Sequence, residues 1–263
     1  FKFEKGDITS VDGMTSIFKD FLPDIVVNLA AQPGVRYSLE NPYVYVDSNI
    51  NGFVNIIELC KDYGVQGLIY ASSSSVYGKN KKTPFSVFDD VSKPRSLYGA
   101  SKRSNELISH AYSDLYGLHT TGLRYFTVYG PYYRPDMAIH IFSKKIFNGE
   151  KISVYNNGNM KRDFTYIDDI IHGTRSAIDK NYSNEIFNLG NNKNEKLMDL
   201  VHILEEQIGI KAKINFEPIK PGDVVETHAD IDYSISKLGY CPNIDISEGI
   251  PIFVKWYKEY YNV

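Results

Sequence analysis

Cysteine is scarce in this chain: two occur among 263 residues, Cys60 and Cys241, far apart. That excludes a disulfide framework and a thiolate metal pattern, and makes a reducing cytoplasm the default compartment. Six histidines include no pair at metal-binding helical spacing, so no catalytic metal is expected. Long hydrophobic runs are missing too. The most apolar stretches, such as Asp24–Ala31 and Gly67–Ala71, are strand-sized and far short of the roughly 20 residues a spanning helix needs. No membrane segment or signal peptide is read. Nor is there a cationic excess: 29 Lys and Arg stand against 32 Asp and Glu, a net charge of -3, with scattered lysines. A nucleic-acid-binding face is therefore not expected, whereas a phosphate-bearing small ligand needs only a few placed arginines. Internal repeats and low-complexity linkers are absent. So is an initiator methionine, since the chain opens Phe1-Lys2-Phe3-Glu4-Lys5-Gly6-Asp7-Ile8.

What is present is a 43% apolar chain long enough to bury one sizeable core with a smaller lobe beside it. Ile25–Ala30 reads as a buried strand, Val44–Tyr63 as a helix, and Gly67–Ala71 as a second strand. A helix over Leu97–Tyr116 and a strand over His119–Arg124 follow. This alternation predicts an α/β fold, a doubly wound parallel sheet with ligands at the carboxyl ends of its strands. Beyond Gly130-Pro131 the rhythm changes. A helix near Met137–Asn148, a strand Ile152–Tyr155, a turn at Asn156–Asn159 and a helix over Asp168–Ala177 come next. A strand Glu185–Leu189 and helices Lys196–Ile208 and Ile246–Tyr260 complete the pattern. The expected division puts residues 1–130 and about 160–190 in one domain, and about 131–159 with 191–263 in a smaller α/β lobe.

Tyr98 and Lys102 lie four residues apart, on one face of the predicted helix. A free phenol, with pKa about 10, is a poor base at neutral pH, and a nearby cation favours its phenolate. Spacing alone is weak, because about two such pairs are expected by chance and the chain has three. Tyr77/Lys81 and Tyr233/Lys237 lack supporting context and read as structural. Tyr98/Lys102 follows Tyr70-Ala71-Ser72-Ser73-Ser74-Ser75, a hydroxyl cluster at the end of a predicted strand where a crevice is expected. A polar strand-to-loop transition is the alternative reading of those serines.

Strand-end serine followed by a tyrosine–lysine helix resembles the short-chain dehydrogenases, and nearly the whole chain resembles their extended, nucleotide-sugar-modifying branch. The likeness runs through Asn28-Leu29-Ala30-Ala31-Gln32, Ser48-Asn49-Ile50-Asn51-Gly52 and Arg124-Tyr125-Phe126-Thr127-Val128-Tyr129-Gly130-Pro131. The resemblance implies a Rossmann-like NAD-binding domain and a nucleotide-sugar lobe. It implies NAD as the cofactor, taking a hydride from carbon 4 of a UDP-sugar and returning it to the opposite face. It assigns Tyr98 as the base, Lys102 to lowering its pKa and binding the nicotinamide ribose, and Ser73 to the reacting oxygen, with Ser74 and Ser75 as alternates. Asp7, Ile8, Leu29, Ala30, Ala31, Gln32, Asn49 and Phe126 match cofactor positions. Ser153, Val154 and Tyr155 match the uracil site, Arg162 the diphosphate and Asp223 the uridine ribose. Arg162 could instead be a hairpin arginine and Asp223 a turn residue. Helices Val44–Tyr63 and Leu97–Tyr116 resemble those that pair in homodimers of the family, the alternative being that their apolar faces belong wholly to the core.

Dehydratases and decarboxylases of the family carry an acidic residue close behind the catalytic hydroxyl, where this chain has Ser74-Ser75-Val76, so epimerisation is expected. Gln32–Ser38 and Thr127–Ala138 resemble uronate 4-epimerases, with Thr127 and Arg134 at the sugar and Arg134 on its carboxylate. Arg36 is a weaker candidate for that carboxylate and reads more readily as a loop-stabilising residue. UDP-glucuronate to UDP-galacturonate is the expected reaction, ahead of 4-epimerisation of UDP-glucose or UDP-N-acetylglucosamine. The family's opening strand, glycine-rich turn, helix and second strand are not in the sequence. An amino-terminal truncation is therefore expected, and with it the alternative of an inactive fragment that binds a nucleotide sugar without turnover.

Overall fold

The computed structural model describes residues 1–263. Chain order runs α1 (Val11–Phe21), β1 (Ile25–Asn28), α2 (Tyr37–Glu40), α3 (Pro42–Tyr45), α4 (Gly52–Asp62), β2 (Gly67–Ser73), α5 (Leu97–Tyr116), β3 (Thr120–Tyr125) and β4 (Thr127–Tyr129). It continues through α6 (Ala138–Phe147), β5 (Lys151–Tyr155), β6 (Lys161–Arg162), β7 (Phe164–Tyr166), α7 (Ile167–Lys180) and β8 (Asn184–Leu189). The last elements are β9 (Glu195–Lys196), α8 (Leu197–Ile208), β10 (Lys213–Glu217), α9 (Asp232–Leu238) and α10 (Ile246–Tyr261). No helix is long and apolar enough to cross a membrane.

The central sheet has the order β1-β2-β3-β8, every neighbouring pair parallel. Its strands read as continuous apolar runs because helices cover both faces: Leu68, Ile69, Leu123 and Phe187 are fully buried. Parallel register brings the ends of β2 and β3 level, Ser73 opposite Tyr125. The strand expected over Ile25–Ala30 ends at Asn28, where the Asn28 side chain accepts from the Ala30 amide and turns the chain outward.

The helix expected over Val44–Tyr63 is not regular. A π-turn at Val46–Asn51 joins α3 to α4. Within it the Asn49 carbonyl accepts from the Asn105 side chain at 2.7 Å, which ties this segment to α5.

The second lobe is built around α6, α8 and α10 on the parallel pair β5 and β10, with Leu200, Val201, Leu204 and Phe253 fully buried. β10 lies in a stretch where no strand was expected. Lys213, Asn215 and Phe216 are exposed and only Ile214 and Glu217 are half-buried, so it has no buried apolar run. One further departure concerns 191–263, expected wholly in the smaller lobe. Ala229, Ile231, Leu238 and Tyr240 join the core beneath the central sheet with Phe187 and Leu189, because α9 packs on β8 and α7.

Candidate active site

Helix α5 starts where Ser96 caps it, its hydroxyl accepting from the Gly99 amide at 3.0 Å, and stops at Gly117 in the left-handed region. The first turn lies hard against the serine-rich end of β2. A Cβ at Gly99 would stand 2.6 Å from the Ser75 carbonyl oxygen, so only glycine permits this approach. The close packing brings the Tyr98 hydroxyl beside Ser73. Ser73 itself caps the short turn that follows, accepting from the Ser75 amide at 3.1 Å.

Tyr98 is half-buried, its ring edge-on to Tyr45 with centroids 6.2 Å apart. Burial raises its pKa, while the Ser73 hydroxyl and the Arg134 charge act in the opposite direction. Lys102, one turn on, is buried and donates to the Ala71 carbonyl at 2.8 Å. Burial pulls its ammonium down to about 8. An ammonium has three donors, and only one is used here. The other tyrosine–lysine pairs differ in their surroundings. Tyr77 is core, stacked on Phe85 and donating to Asn188 at 2.6 Å, and the Tyr233 hydroxyl donates to Glu185.

The segment leaving β1 is stapled in place. Asn49 accepts from the Gln32 amide at 2.7 Å and donates to the Gln32 carbonyl and to Ser101 on α5. Leu29 is exposed before it. Asp7 accepts from Thr9, and the Ile8 carbonyl accepts from Asn55, which docks the start of the chain on α4. These features suit a dinucleotide: exposed residues at Leu29 and Ala30 leading into a segment fixed at Gln32, and a buried ammonium with spare donors for ribose hydroxyls. Phe126 is placed differently. Its ring faces the core against Tyr77, which leaves only its backbone toward the strand ends.

Across the cleft, Arg162 is held by two backbone carbonyls, of Lys161 and Val225, with no carboxylate bonded to it. Burial pulls its pKa down to about 10, with Asp223 acting upward and Arg36 downward. A cation so placed is short of an anion, as a diphosphate site requires. Tyr155 is half-buried, as is Ser153, whereas Val154 is fully buried in the lobe core. Thr127 opens β4 and is half-buried. Arg134 forks onto Asp136 at 3.1 and 2.5 Å on the exposed loop beyond β4. Arg36 does not join Arg134: it pairs with Asp223 and lies over Tyr155.

One buried group went unread. Glu106 continues the Tyr98–Lys102 face by one more turn, and its carboxylate takes bonds from Ser72 at 2.6 Å, Arg124 at 2.8 and 2.9 Å, and Arg103 at 2.9 Å. It ties α5 to β2 and β3 directly behind Ser73. Its spacing, eight residues after Tyr98 on one helical face, was the available signal.

A parallel sheet with a serine, a tyrosine and a lysine converging at its strand ends, facing a lobe with an anion-seeking arginine, defines a dinucleotide-dependent enzyme acting on a phosphorylated hydroxyl compound. The family model for the NAD dependent epimerase/dehydratase family matches residues 1–190, and the chain belongs to that family. It is 47% identical to Protein CapI of Staphylococcus aureus over 99% of this chain and 84% of the relative. It is 46% identical to UDP-glucuronate 4-epimerase 4 of Arabidopsis thaliana, over 98% of this chain and 63% of that one. Among solved structures, UDP-glucuronic acid 4-epimerase from Bacillus cereus, in complex with UDP-glucuronic acid and NAD, superposes with a TM-score of 0.92. That match has 35% identity and covers 99% of this chain and 82% of that one.

Proposed function

We propose that the protein interconverts UDP-glucuronate and UDP-galacturonate by transient oxidation at carbon 4. The observation that carries this reading is the Tyr98 hydroxyl beside Ser73 at the end of β2, within the field of Arg134, with Lys102 buried one turn on and bonded to the Ala71 carbonyl. NAD, when bound along Leu29–Gln32 and Lys102, supplies the hydride acceptor and donor. Tyr98 takes the proton of the 4-hydroxyl and later returns it. Ser73 donates to the same oxygen, where negative charge grows as that proton leaves. Lys102 offers a cation that favours the phenolate. Arg162 holds the diphosphate, Tyr155 and Asp223 flank the uridine, and Arg134 exchanges Asp136 for the sugar carboxylate.

That last contact has a chemical purpose. The 4-keto sugar is a β-keto acid, and a carboxylate held in a bidentate fork is kept from rotating into the geometry that releases carbon dioxide. No carboxylate follows Ser73 that could drive elimination.

Incubating the protein with NAD and UDP-glucuronate, then separating products by chromatography, is expected to give UDP-galacturonate. Arg134→Ala should lower kcat/KM for the uronate by about 30- to 1,000-fold, the cost of stranding a paired charge. UDP-pentose from the unmodified protein would contradict carboxylate retention. Conversion of UDP-glucose with no turnover of UDP-glucuronate would contradict the role of Arg134.

We further propose a cytoplasmic homodimer. Cys60 and Cys241 are free thiols, which agrees with a reducing compartment. Tyr43 and Val46, on the helical segment leading into α4, and Leu107 and Leu115, on α5, are exposed apolar side chains that a second copy would cover. Light scattering on the eluting protein should give twice the chain mass, and Leu107→Asp with Leu115→Asp should halve it. A monomer at micromolar concentration would end this reading.

A further inference from the structure

We infer that Arg36 is a positioning residue that closes the nucleotide pocket, latching the loop after β1 onto Tyr155 and Asp223 of the opposite lobe. The inference rests on the proposed UDP-sugar site and deepens it.

The geometry is two-sided. The Arg36 guanidinium meets the Asp223 carboxylate at 2.7 Å, and its central carbon lies 4.4 Å from the Tyr155 ring centroid. One planar group thus holds a carboxylate at its edge and an aromatic ring on its face, a combination lysine cannot reproduce. A second contact runs alongside: a Cβ at Gly222 would stand 3.1 Å from the Val35 side chain. Gly222 also has a φ of +83°, so the turn carrying Asp223 needs glycine both for its conformation and for the approach of Val35.

The base of the Arg36 loop is rigid. The Tyr45 hydroxyl lies 2.8 and 2.6 Å from the Pro33 and Gly34 carbonyl oxygens, and Ser38 donates to the Val35 carbonyl at 2.6 Å. Tyr45 in turn packs edge-on against Tyr98. A loop anchored beside the base and pinned at its tip to the uridine side spans the cleft between the two halves of the site. Burial works against the Arg36 charge, and the Asp223 and Tyr155 contacts more than offset it.

The chemistry gives this closure a use. The oxidised sugar must turn over within the site before reduction, so the nucleotide has to stay held while the sugar is released from its first orientation. A latch that grips the uridine side and leaves the sugar free does both.

The test is the dissociation rate of UDP, measured by surface plasmon resonance. Arg36→Met should speed dissociation by about 5- to 10-fold, the range expected for a part-exposed ion pair backed by an aromatic face. Arg36→Lys, which keeps the charge, should recover part of the loss, a rescue that a folding defect would not show. In an Asp223→Asn background, removing Arg36 should add less than about twofold, because the partner is already gone. Unchanged dissociation in Arg36→Met, or effects of the two substitutions that multiply in full, would overturn the latch while leaving the epimerase reading intact. Absence of UDP binding by the unmodified protein would overturn both.

Discussion

Tyr98→Phe is expected to lower kcat by about 100- to 10,000-fold, the span that one positioned acid–base group contributes. UDP affinity should stay within about twofold. The reason for so clean a separation is local. The Tyr98 ring packs against Tyr45, and phenylalanine keeps that contact. What is lost is the hydroxyl, which sits beside Ser73 and within the field of Arg134. At neutral pH the phenol is un-ionised in both the folded and the unfolded chain, so deleting it removes at most one neutral hydrogen bond, that to Ser73. Thermal stability should therefore hold within about 1 kcal/mol. Steady-state kinetics, UDP calorimetry and a melting curve on one preparation check all three. Turnover above a tenth of the unmodified rate would move the proton transfer to another group, with Ser73 the nearest.

Helix α5 was legible from the sequence because every local signal agreed. Ser96 caps it, Gly117 ends it, and the Tyr98–Lys102 face is read from spacing alone, so the expected and observed bounds coincide. The strands of the central sheet were legible for a related reason: buried on both faces, they are short apolar runs. Three features were hidden, each by a different physical cause. The π-turn at Val46–Asn51 leaves the hydrophobic period nearly intact, so nothing in the residues marks the wider turn from which the Asn49 carbonyl meets Asn105. β10 carries its apolar residues too sparsely to show a strand. The Arg36–Asp223 pair joins residues 187 apart, and no periodicity reaches across two lobes. Sequence reading offered Arg36 as a loop-stabilising residue or, more weakly, as a partner of the sugar carboxylate, and only the folded geometry pairs it with Asp223 and Tyr155. Glu106 lies between these cases. Its helical spacing from Lys102 was visible, but its worth depends on Ser72 and Arg124 arriving from two strands.

Lys102→Met is expected to abolish turnover and, in the ligand-free protein, to raise stability. Lys102 is almost fully buried, its only bond is to the Ala71 carbonyl, and burial lowers its pKa from 10.5 to about 8. A folded-state pKa below the unfolded value means that the unfolded chain binds the proton more tightly. Between about pH 8 and 10.5 the unfolded lysine is protonated and the native one is not, so stability rises with pH across that window. Below pH 8 both states are charged and the native state bears the full cost of a buried ammonium. Methionine matches the length of the stem without the charge. The gain should therefore be greatest below pH 8, about 1–3 kcal/mol from the size of the shift, and should fade toward pH 10.5. Urea unfolding at pH 7 and pH 10 measures it directly. A destabilised variant at pH 7 would mean that the ammonium is satisfied by more than Ala71. The expected sign makes Lys102 a group kept for chemistry at the expense of the fold, as the strained side of a catalytic site should be.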